Sequence, residues 1–270
     1  MNTSTFVKPC SVIIPFYNGN KYLAEALASV SINTDQVEEI IIVVDYGSEA
    51  PVFDVLNLKV RVLNNTSSIN RGAGFARALG YNAAVTKFVA FLDCDDVWGV
   101  EKLKQHLALA IECDLAFSFH NFYHFDNSCY SSEIVCNGPY TLQAFFRKKF
   151  TIGCLTVLLD KETLGSLEGN SLKRRNDYYM WFQVIKKCEL RNLDWGGINI
   201  KASAGHRLHD NSLSSSKLKT SFSQFYFYLA CDLGVFHAFF FFFLYVINTL
   251  KTRSTKYYRI STPKNKNGFD

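Results

Sequence analysis

The chain has 270 residues, of which 48% are hydrophobic and 20% are charged, and its formal net charge is +5. This composition predicts a folded chain with a substantial buried core and excludes low-complexity, collagen-like and wholly disordered proteins. The length allows one large domain or two small ones, and the small positive charge gives no indication of nucleic acid binding.

The eight cysteines are scattered along the chain, with no CxxC pair and no histidines at zinc-ligand spacing. This pattern predicts free thiols in a reducing cytoplasm and argues against a metal finger or a thioredoxin-type redox centre. Residues 1–9 lack the apolar run of a secretory signal, so we expect the protein to stay inside the cell.

The first half of the chain alternates between β-branched runs and helical patterns. The apolar spacing predicts strands at residues 11–15, 39–45, 60–63 and 87–93 and helices at 22–30 and 74–85. This alternation predicts an α/β fold with a doubly wound, mostly parallel sheet. Beyond it, we predict helices at 101–113, 142–146 and 177–188, strands at 115–119 and 154–159, and a loop at 126–139.

The segment 221–270 differs in composition from the domain predicted at 1–220. Nine of the 24 phenylalanines lie between Phe222 and Phe243, and a basic tail with two tyrosines follows. Such a tail binds anionic lipid headgroups while aromatic rings lie at the interface. The low-charge stretch 233–247 has 15 residues, whereas a membrane-spanning helix needs about 20. We therefore expect a helical, membrane-associated segment, with a core helix and a transmembrane span as the alternatives.

Three carboxylates, Asp93, Asp95 and Asp96, directly follow the fourth predicted strand. The carboxyl ends of parallel strands form the sheet edge at which open α/β proteins bind ligands, and Asp45 ends the second strand at the same edge. Carboxylates in this number suit Mg²⁺ or Mn²⁺ shared with substrate phosphates, so we expect a diphosphate ligand. The alternative is that Asp95 or Asp96 only caps the next helix.

Three motifs together resemble family 2 glycosyltransferases, which have the GT-A nucleotide-sugar-binding fold. Residues 11–18 (SVIIPFYN), 43–48 (VVDYGS) and 91–96 (FLDCDD) match the opening strand, the second-strand motif and the Asp-x-Asp metal motif of that family. The resemblance covers roughly residues 10–215. It implies an enzyme that takes a sugar from a nucleotide-sugar donor with the help of Mn²⁺ or Mg²⁺, held by Asp93, Asp95 and Asp96.

The resemblance also assigns residues to the donor. Pro15, Tyr17 and Asp45 are expected to border the base and ribose, and Arg77 to lie near the base or the diphosphate. The family usually has a second acid after Asp45, where this sequence has Tyr46, a residue that would bind by stacking or by a hydrogen bond.

Residues 173–181 resemble the acceptor-site motif of the family. Asp177 matches the general base, and Asn176 replaces the usual acid before it. As a residue pattern alone, without the other motifs, Asp177 is better interpreted as a helix N-cap. Arg175 is expected to contact the donor diphosphate together with Asp93, or an anionic acceptor lipid, or else only solvent. Residues 205–214 resemble the histidine segment of the family and add His209 as a metal ligand, with His206 as the alternative.

The resemblance implies an inverting, metal-dependent hexosyltransferase, with UDP-glucose or UDP-galactose as the expected donor. The expected acceptor is a hydroxyl of a saccharide linked to polyprenyl diphosphate, in O-antigen or capsule synthesis at the inner face of the cell membrane. Two other classes stay open. A non-catalytic nucleotide-sugar-binding protein fits Tyr46 and Asn176 in place of acids. A sugar-nucleotide nucleotidyltransferase normally has a glycine-rich loop, whereas residues 16–20 contain one glycine.

Overall fold

The protein is described here from a computed structural model. It describes residues 9–54, 58–126, 129–170, 172–200, 204–208, 217–251 and 257–259, with side chains at all of these except 217–220, 249–251 and 257–259. The helices are α1 (Asn20–Ser31), α2 (Ala73–Ala83), α3 (Lys102–Glu112), α4 (Leu142–Phe146), α5 (Lys161–Leu164), α6 (Asn176–Arg191), α7 (Lys217–Ala230) and α8 (Val235–Lys251). The strands are β1 (Cys10–Phe16), β2 (Val37–Val44), β3 (Val60–Asn64), β4 (Phe88–Phe91), β5 (Val97–Trp98), β6 (Phe117–Phe119), β7 (Tyr123–Phe125), β8 (Cys129–Ser131), β9 (Leu158–Asp160), β10 (Trp195–Gly197), β11 (Ala204–Arg207) and β12 (Tyr257–Arg259).

Seven strands form the main sheet, in the order β10-β6-β9-β4-β1-β2-β3. β1 pairs in parallel with β2 and β4, and β2 pairs in parallel with β3. The residues of β1 are all buried, as expected for a central parallel strand covered on both faces. The predicted α/β class is therefore confirmed. The sheet is nevertheless mixed, because β9 runs antiparallel to both β4 and β6, and an apolar strand pattern does not encode direction.

Two glycines let α2 approach its neighbours closely. α2 packs on β1 and β2 and also contacts α6. A Cβ at Gly80 would lie 2.5 Å from Ile13 Cγ2, and a Cβ at Gly74 would lie 2.7 Å from Asn176 Cβ. The start of α6 is thus held against α2, which places the side chains of Arg77 and Asp177 near the sheet edge.

A second sheet, in the order β12-β8-β7-β11-β5, was not predicted. β8 lies inside the predicted loop at 126–139, and Phe122 forms an isolated bridge with Ile134. Strands of two to four residues carry too little alternation to be recognised in a sequence. This sheet matters for the site because β11 pairs with β5, the strand that directly follows the acidic motif.

The C-terminal helices α7 and α8 pack against each other, and α7 also contacts α6. Their inner faces are aromatic and buried, with Phe227, Tyr228, Phe241 and Tyr245 at 9% exposure or less. The predicted domain boundary at residue 220 falls within α7. In the part of the chain that the structure describes, no helix is both long enough and apolar enough to cross a membrane.

Candidate active site

The carboxyl ends of β1, β2 and β4 lie side by side at one edge of the main sheet, because these strands are parallel neighbours. The loops after β1 and β2 are joined by a hydrogen bond of 3.0 Å from the Asn18 N–H to the Ser48 hydroxyl. Tyr17 and Tyr46, on these two loops, are 52% and 50% exposed. Both rings are therefore accessible to a ligand at this edge, whereas Pro15 is buried within β1.

Asp45 organises the loop that leads into α2. Its carboxylate accepts hydrogen bonds from the Asn65 side-chain amide (2.6 Å) and from the backbone N–H groups of Gly72 (2.6 Å), Tyr46 (2.8 Å) and Arg71 (3.1 Å). Burial favours a higher pKa for Asp45, but these hydrogen bonds outweigh it and hold the pKa below its ordinary value. Asp45 is thus a buried anion that shapes the wall of the site, and its contact with a ligand stays a prediction.

Arg77 joins the acidic motif to the start of α6. It is 4% exposed, and its guanidinium donates to Asp93 Oδ1 at 2.5 Å and to Asn176 Oδ1 at 2.7 Å. Asp93 already neutralises the positive charge of Arg77, so a neutral amide at position 176 completes the hydrogen bonding without a second carboxylate. This pairing gives a physical reason for Asn176 where an acid was expected. Arg77 lies beneath the site surface as a link between two elements.

Asp177 lies in the first turn of α6, directly after Asn176, and is half-buried. The N-cap of α6 is Arg175, so Asp177 is not the capping residue that its pattern allowed. A position in the first turn of a helix suits an acidic side chain, because the helix end carries a partial positive charge. The N-cap of α3 is likewise Glu101, which rules out capping of α3 by Asp95 or Asp96.

Asp96 is buried and tied to β11. Its carboxylate contacts His206 Nδ1 at 3.0 Å and accepts a hydrogen bond of 2.9 Å from the Arg207 N–H. The negative charge of Asp96 raises the pKa of His206 to about 9, so this ring is protonated at neutral pH. The Arg207 side chain donates to the Asp95 carbonyl at 3.0 Å and to the Glu25 carboxylate at 2.6 Å. β11 thereby fixes the backbone that carries the acidic motif.

A comparison with known families matches residues 11–155 to "Glycosyl transferase family 2", which is more than half of the chain. The chain belongs to this family. It is therefore a glycosyltransferase, and the strand-end residues described above lie within the matched segment.

Two curated bacterial relatives cover most of this glycosyltransferase. It is 29% identical over 212 residues to the Escherichia coli UDP-Glc:alpha-D-GlcNAc-diphosphoundecaprenol beta-1,3-glucosyltransferase WfgD, with 77% of this chain and 81% of the relative aligned. It is 31% identical over 216 residues to the putative teichuronic acid biosynthesis glycosyltransferase TuaG of Bacillus subtilis, with 78% and 83% aligned.

A solved structure confirms the fold of the glycosyltransferase. Staphylococcus aureus TarS 1–349, crystallised with UDP-GlcNAc, matches 90% of this chain with a TM-score of 0.61 and 18% identity, over 73% of the TarS chain. The expected GT-A architecture is thus confirmed, and at this identity the likeness concerns the fold alone.

The acidic motif of the glycosyltransferase fits the divalent metal that its family generally uses. Among the described residues, no three His, Cys, Asp or Glu side chains are grouped to hold an ion. Asp96 is engaged by His206 and Arg207, and Asp93 binds Arg77 through one oxygen. Metal ions that are shared with substrate phosphates need only one or two protein carboxylates. Asp95 and Asp93 stay the predicted ligands of such an ion.

The remaining predicted site residues are not all brought to this edge. Arg175 donates to the Tyr245 hydroxyl of α8 at 3.2 Å, so its guanidinium lies beside the C-terminal helices. His209 lies outside the described residues.

The structure adds Asn65 and Arg207, which the motifs did not single out. Arg207 lies two residues before His209, in a segment that the resemblance already covered, whereas nothing in the sequence pointed to Asn65.

Proposed function

We propose that this glycosyltransferase transfers a hexose from a UDP-sugar, with UDP-glucose as the first candidate, to a saccharide linked to polyprenyl diphosphate. The hydrogen-bonded link Asn176–Arg77–Asp93 carries the proposal, because it ties the residue next to Asp177 to the acidic motif. The link thereby fixes the position of the candidate base relative to the sheet edge that would bind the diphosphate. The printed activity of WfgD, which uses UDP-Glc and a diphosphoundecaprenol-linked GlcNAc, supports this donor and this acceptor.

In the proposed reaction, the Asp177 carboxylate accepts the proton of the acceptor hydroxyl while that oxygen attacks the anomeric carbon. The bond to the donor diphosphate breaks on the opposite face, so the anomeric configuration is inverted. Arg77 holds Asp93 and the first turn of α6 in register, and Tyr17 and Tyr46 border the base. A divalent cation on Asp95 and Asp93, as either Mn²⁺ or Mg²⁺, would neutralise the leaving diphosphate.

The place of action that we propose is the inner face of the cell membrane, in O-antigen or capsule assembly. The exposed aromatic side chains of α8 support this, since Phe236, Phe239 and Phe243 are all more than half exposed. A surface helix with an apolar outer face inserts into the headgroup boundary without spanning the bilayer. The proposed region at 221–270 would thus attach a cytoplasmic enzyme to the membrane that carries its acceptor.

The test is a donor screen that follows release of nucleoside diphosphate from UDP- and dTDP-sugars, with Mn²⁺, Mg²⁺ or EDTA. Each reaction is run with and without a prenyl-diphosphate-linked N-acetylglucosamine acceptor. We expect acceptor-dependent release of UDP from one UDP-hexose, abolished by EDTA and restored by Mn²⁺ or Mg²⁺, with a product of inverted configuration by NMR.

Three results would contradict the proposal. Release of nucleoside diphosphate that persists fully in EDTA would exclude a requirement for a divalent metal. A product of retained configuration would exclude Asp177 as the base of a direct displacement. Donor binding by calorimetry without turnover on any acceptor would favour a nucleotide-sugar-binding role for this chain.

A further inference from the structure

Two cations converge on one phenol away from the strand-end edge. Arg175 Nη2 donates to the Tyr245 hydroxyl at 3.2 Å, and Arg175 Cζ lies 5.0 Å from the centroid of the Tyr178 ring. Lys148 Nζ lies 4.9 Å from the centroid of the Tyr245 ring. Lys148 follows α4, Arg175 precedes α6 and Tyr245 belongs to α8. The tertiary fold therefore builds this group, which we call the basic cluster (Lys148, Arg175 and Tyr245).

The positive charge of the basic cluster is not balanced within the described part of the chain. No described carboxylate forms an ion pair with Lys148 or Arg175. Arg175 Nε is buried and has no hydrogen-bond partner among the described residues. Burial, and then the charge of Arg175, lower the pKa of Lys148 to about 8. Two like charges held together in partial burial are costly unless an anion joins them.

The backbone at both cations is also strained. Lys148 has a φ of 50° and Arg175 a φ of 59°, in the left-handed region that residues with a Cβ rarely adopt. Such conformations cost about 1–3 kcal/mol each and persist where the surrounding structure enforces them, often at ligand-binding sites.

The basic cluster is adjacent in the chain to the candidate base and shares α8 with the exposed aromatic side chains. Asp177 is two residues after Arg175 in the chain, within the first turn of α6. Tyr245 is on the inner face of α8, and the outer face of the same helix exposes Phe239 and Phe243. A molecule with a hydroxyl at Asp177, an anion at the two cations and an apolar chain along α8 would match all three features.

We propose that the basic cluster binds the diphosphate of the lipid-linked acceptor, with Lys148 and Arg175 as direct ligands and Tyr245 as the residue that orients Arg175. This inference rests on the proposed acceptor class and assigns a site to its diphosphate. Of the alternatives that the sequence left open for Arg175, it favours the acceptor lipid over the donor diphosphate. Guanidinium and ammonium groups are the usual protein ligands of phosphate oxygens.

The experiment compares two acceptors in non-ionic detergent, without anionic lipid. One is a prenyl-diphosphate-linked N-acetylglucosamine, and the other is the same sugar as an alkyl glycoside without phosphate. The variants are Lys148→Gln and Arg175→Gln, with Lys149→Gln as the matched control, because Lys149 is exposed and adjacent in the chain. Circular dichroism spectra and melting temperatures show whether each variant is folded.

For both cluster variants, we expect KM for the diphosphate acceptor to rise at least tenfold more than KM for the alkyl glycoside. The Lys149→Gln control is expected to match the wild type on both acceptors. Equal losses on the two acceptors would show that the basic cluster only anchors α8, and unchanged kinetics would show that it binds nothing in this reaction. Either result overturns the inference.

A binding measurement separates failure of this inference from failure of the proposed function. Calorimetry measures the binding of a short prenyl diphosphate, of inorganic pyrophosphate and of anionic phospholipid vesicles to the wild type and to Lys148→Gln. If wild type transfers to neither acceptor but binds the prenyl diphosphate at least tenfold more tightly than Lys148→Gln does, the site stands and the proposed transfer fails. If prenyl diphosphate does not bind, or if the variant loses only vesicle binding, the inference is overturned.

Discussion

At the scale of single residues, the candidate base depends on neighbours that are distant in the sequence. Asp177 itself takes its position from the first turn of α6, and that turn is fixed by the Arg77–Asn176 hydrogen bond across 99 residues. The same guanidinium binds Asp93. One buried side chain thus sets the relation between the acidic motif and the acceptor side, and a change at Arg77 would disturb both.

Substitution of Asp177 by asparagine tests its role directly. The amide cannot accept the proton of the acceptor hydroxyl, so we expect kcat to fall by about 10²- to 10⁴-fold. Binding of the donor, measured by calorimetry, is expected to stay near the wild-type value because the shape of the side chain is kept. Glu168→Gln is a suitable control, since Glu168 is exposed. Near-normal turnover of Asp177→Asn would exclude Asp177 as the base.

At the scale of secondary structure elements, α3 begins with a buried lysine that destabilises the fold. Lys102 begins this helix and is fully buried, with Nζ 4.0 Å from the centroid of the Trp98 ring and no hydrogen-bond partner among the described residues. Burial lowers the pKa of Lys102 to about 7. In the unfolded chain the Lys102 amine is protonated below pH 10.5, whereas in the folded chain it stays neutral down to about pH 7. The free energy of unfolding therefore falls as the pH decreases from 10.5 to 7.

Replacing Lys102 by methionine should therefore stabilise the protein. We expect the free energy of unfolding at pH 7.5, from urea denaturation, to rise by about 1–4 kcal/mol, with a gain that shrinks toward pH 10. Measurements stay above pH 7 because the buried His106 and His120 have lowered pKa values and add their own dependence at acid pH. Lys104→Met on the exposed face of α3 is the control. A loss of stability in Lys102→Met would show that the ammonium has a partner worth more than its burial costs.

The elements also show how far the sequence predicts this protein. β1, β2 and α2 were located to within a few residues because a strand buried on both faces is a continuous apolar run and the helix has an apolar face. The strand-end motifs were located for the same reason, since each directly follows such a strand. The resemblance named His206 only as an alternative metal ligand, and its direct contact with Asp96, across 110 residues, was not predicted. It depends on the pairing of β11 with β5, which are too short to show a period.

At the scale of the whole molecule, the glycosyltransferase has an aromatic face on α8 that its own core does not cover. α8 buries Ala238, Phe241 and Tyr245 and exposes Phe236 and Phe240, the first of which is 89% exposed. Removing α7 and α8 would uncover the rings of α4 and α6 that pack against them. Substitutions on the outer face therefore test membrane contact more cleanly than truncation.

Phe236→Ser combined with Phe243→Ser should release the protein from membranes, and it spares Phe239, whose ring packs on Phe225 of α7. Burial of one phenylalanine side chain contributes about 1.5–3 kcal/mol, so even partial insertion predicts at least a tenfold weaker partition onto vesicles with anionic lipid. Co-sedimentation measures this partition. Leu190→Ser, at a residue that is 77% exposed near the end of α6, is the control. Unchanged co-sedimentation of the double variant would show that the aromatic face does not bind membranes.

The contacts of Asp96 with β11 also bear on how the chain is synthesised and how it can be recombined. The ribosome completes the acidic motif before it makes residues 206 and 207, which supply the partners of Asp96 from 110 and 111 positions downstream. A buried carboxylate that lacks such partners costs about 1–3 kcal/mol or more. The segment 11–155, which carries the family match, is thus incomplete as a folding unit. Chimeras that exchange the donor half between relatives must carry β11 with it.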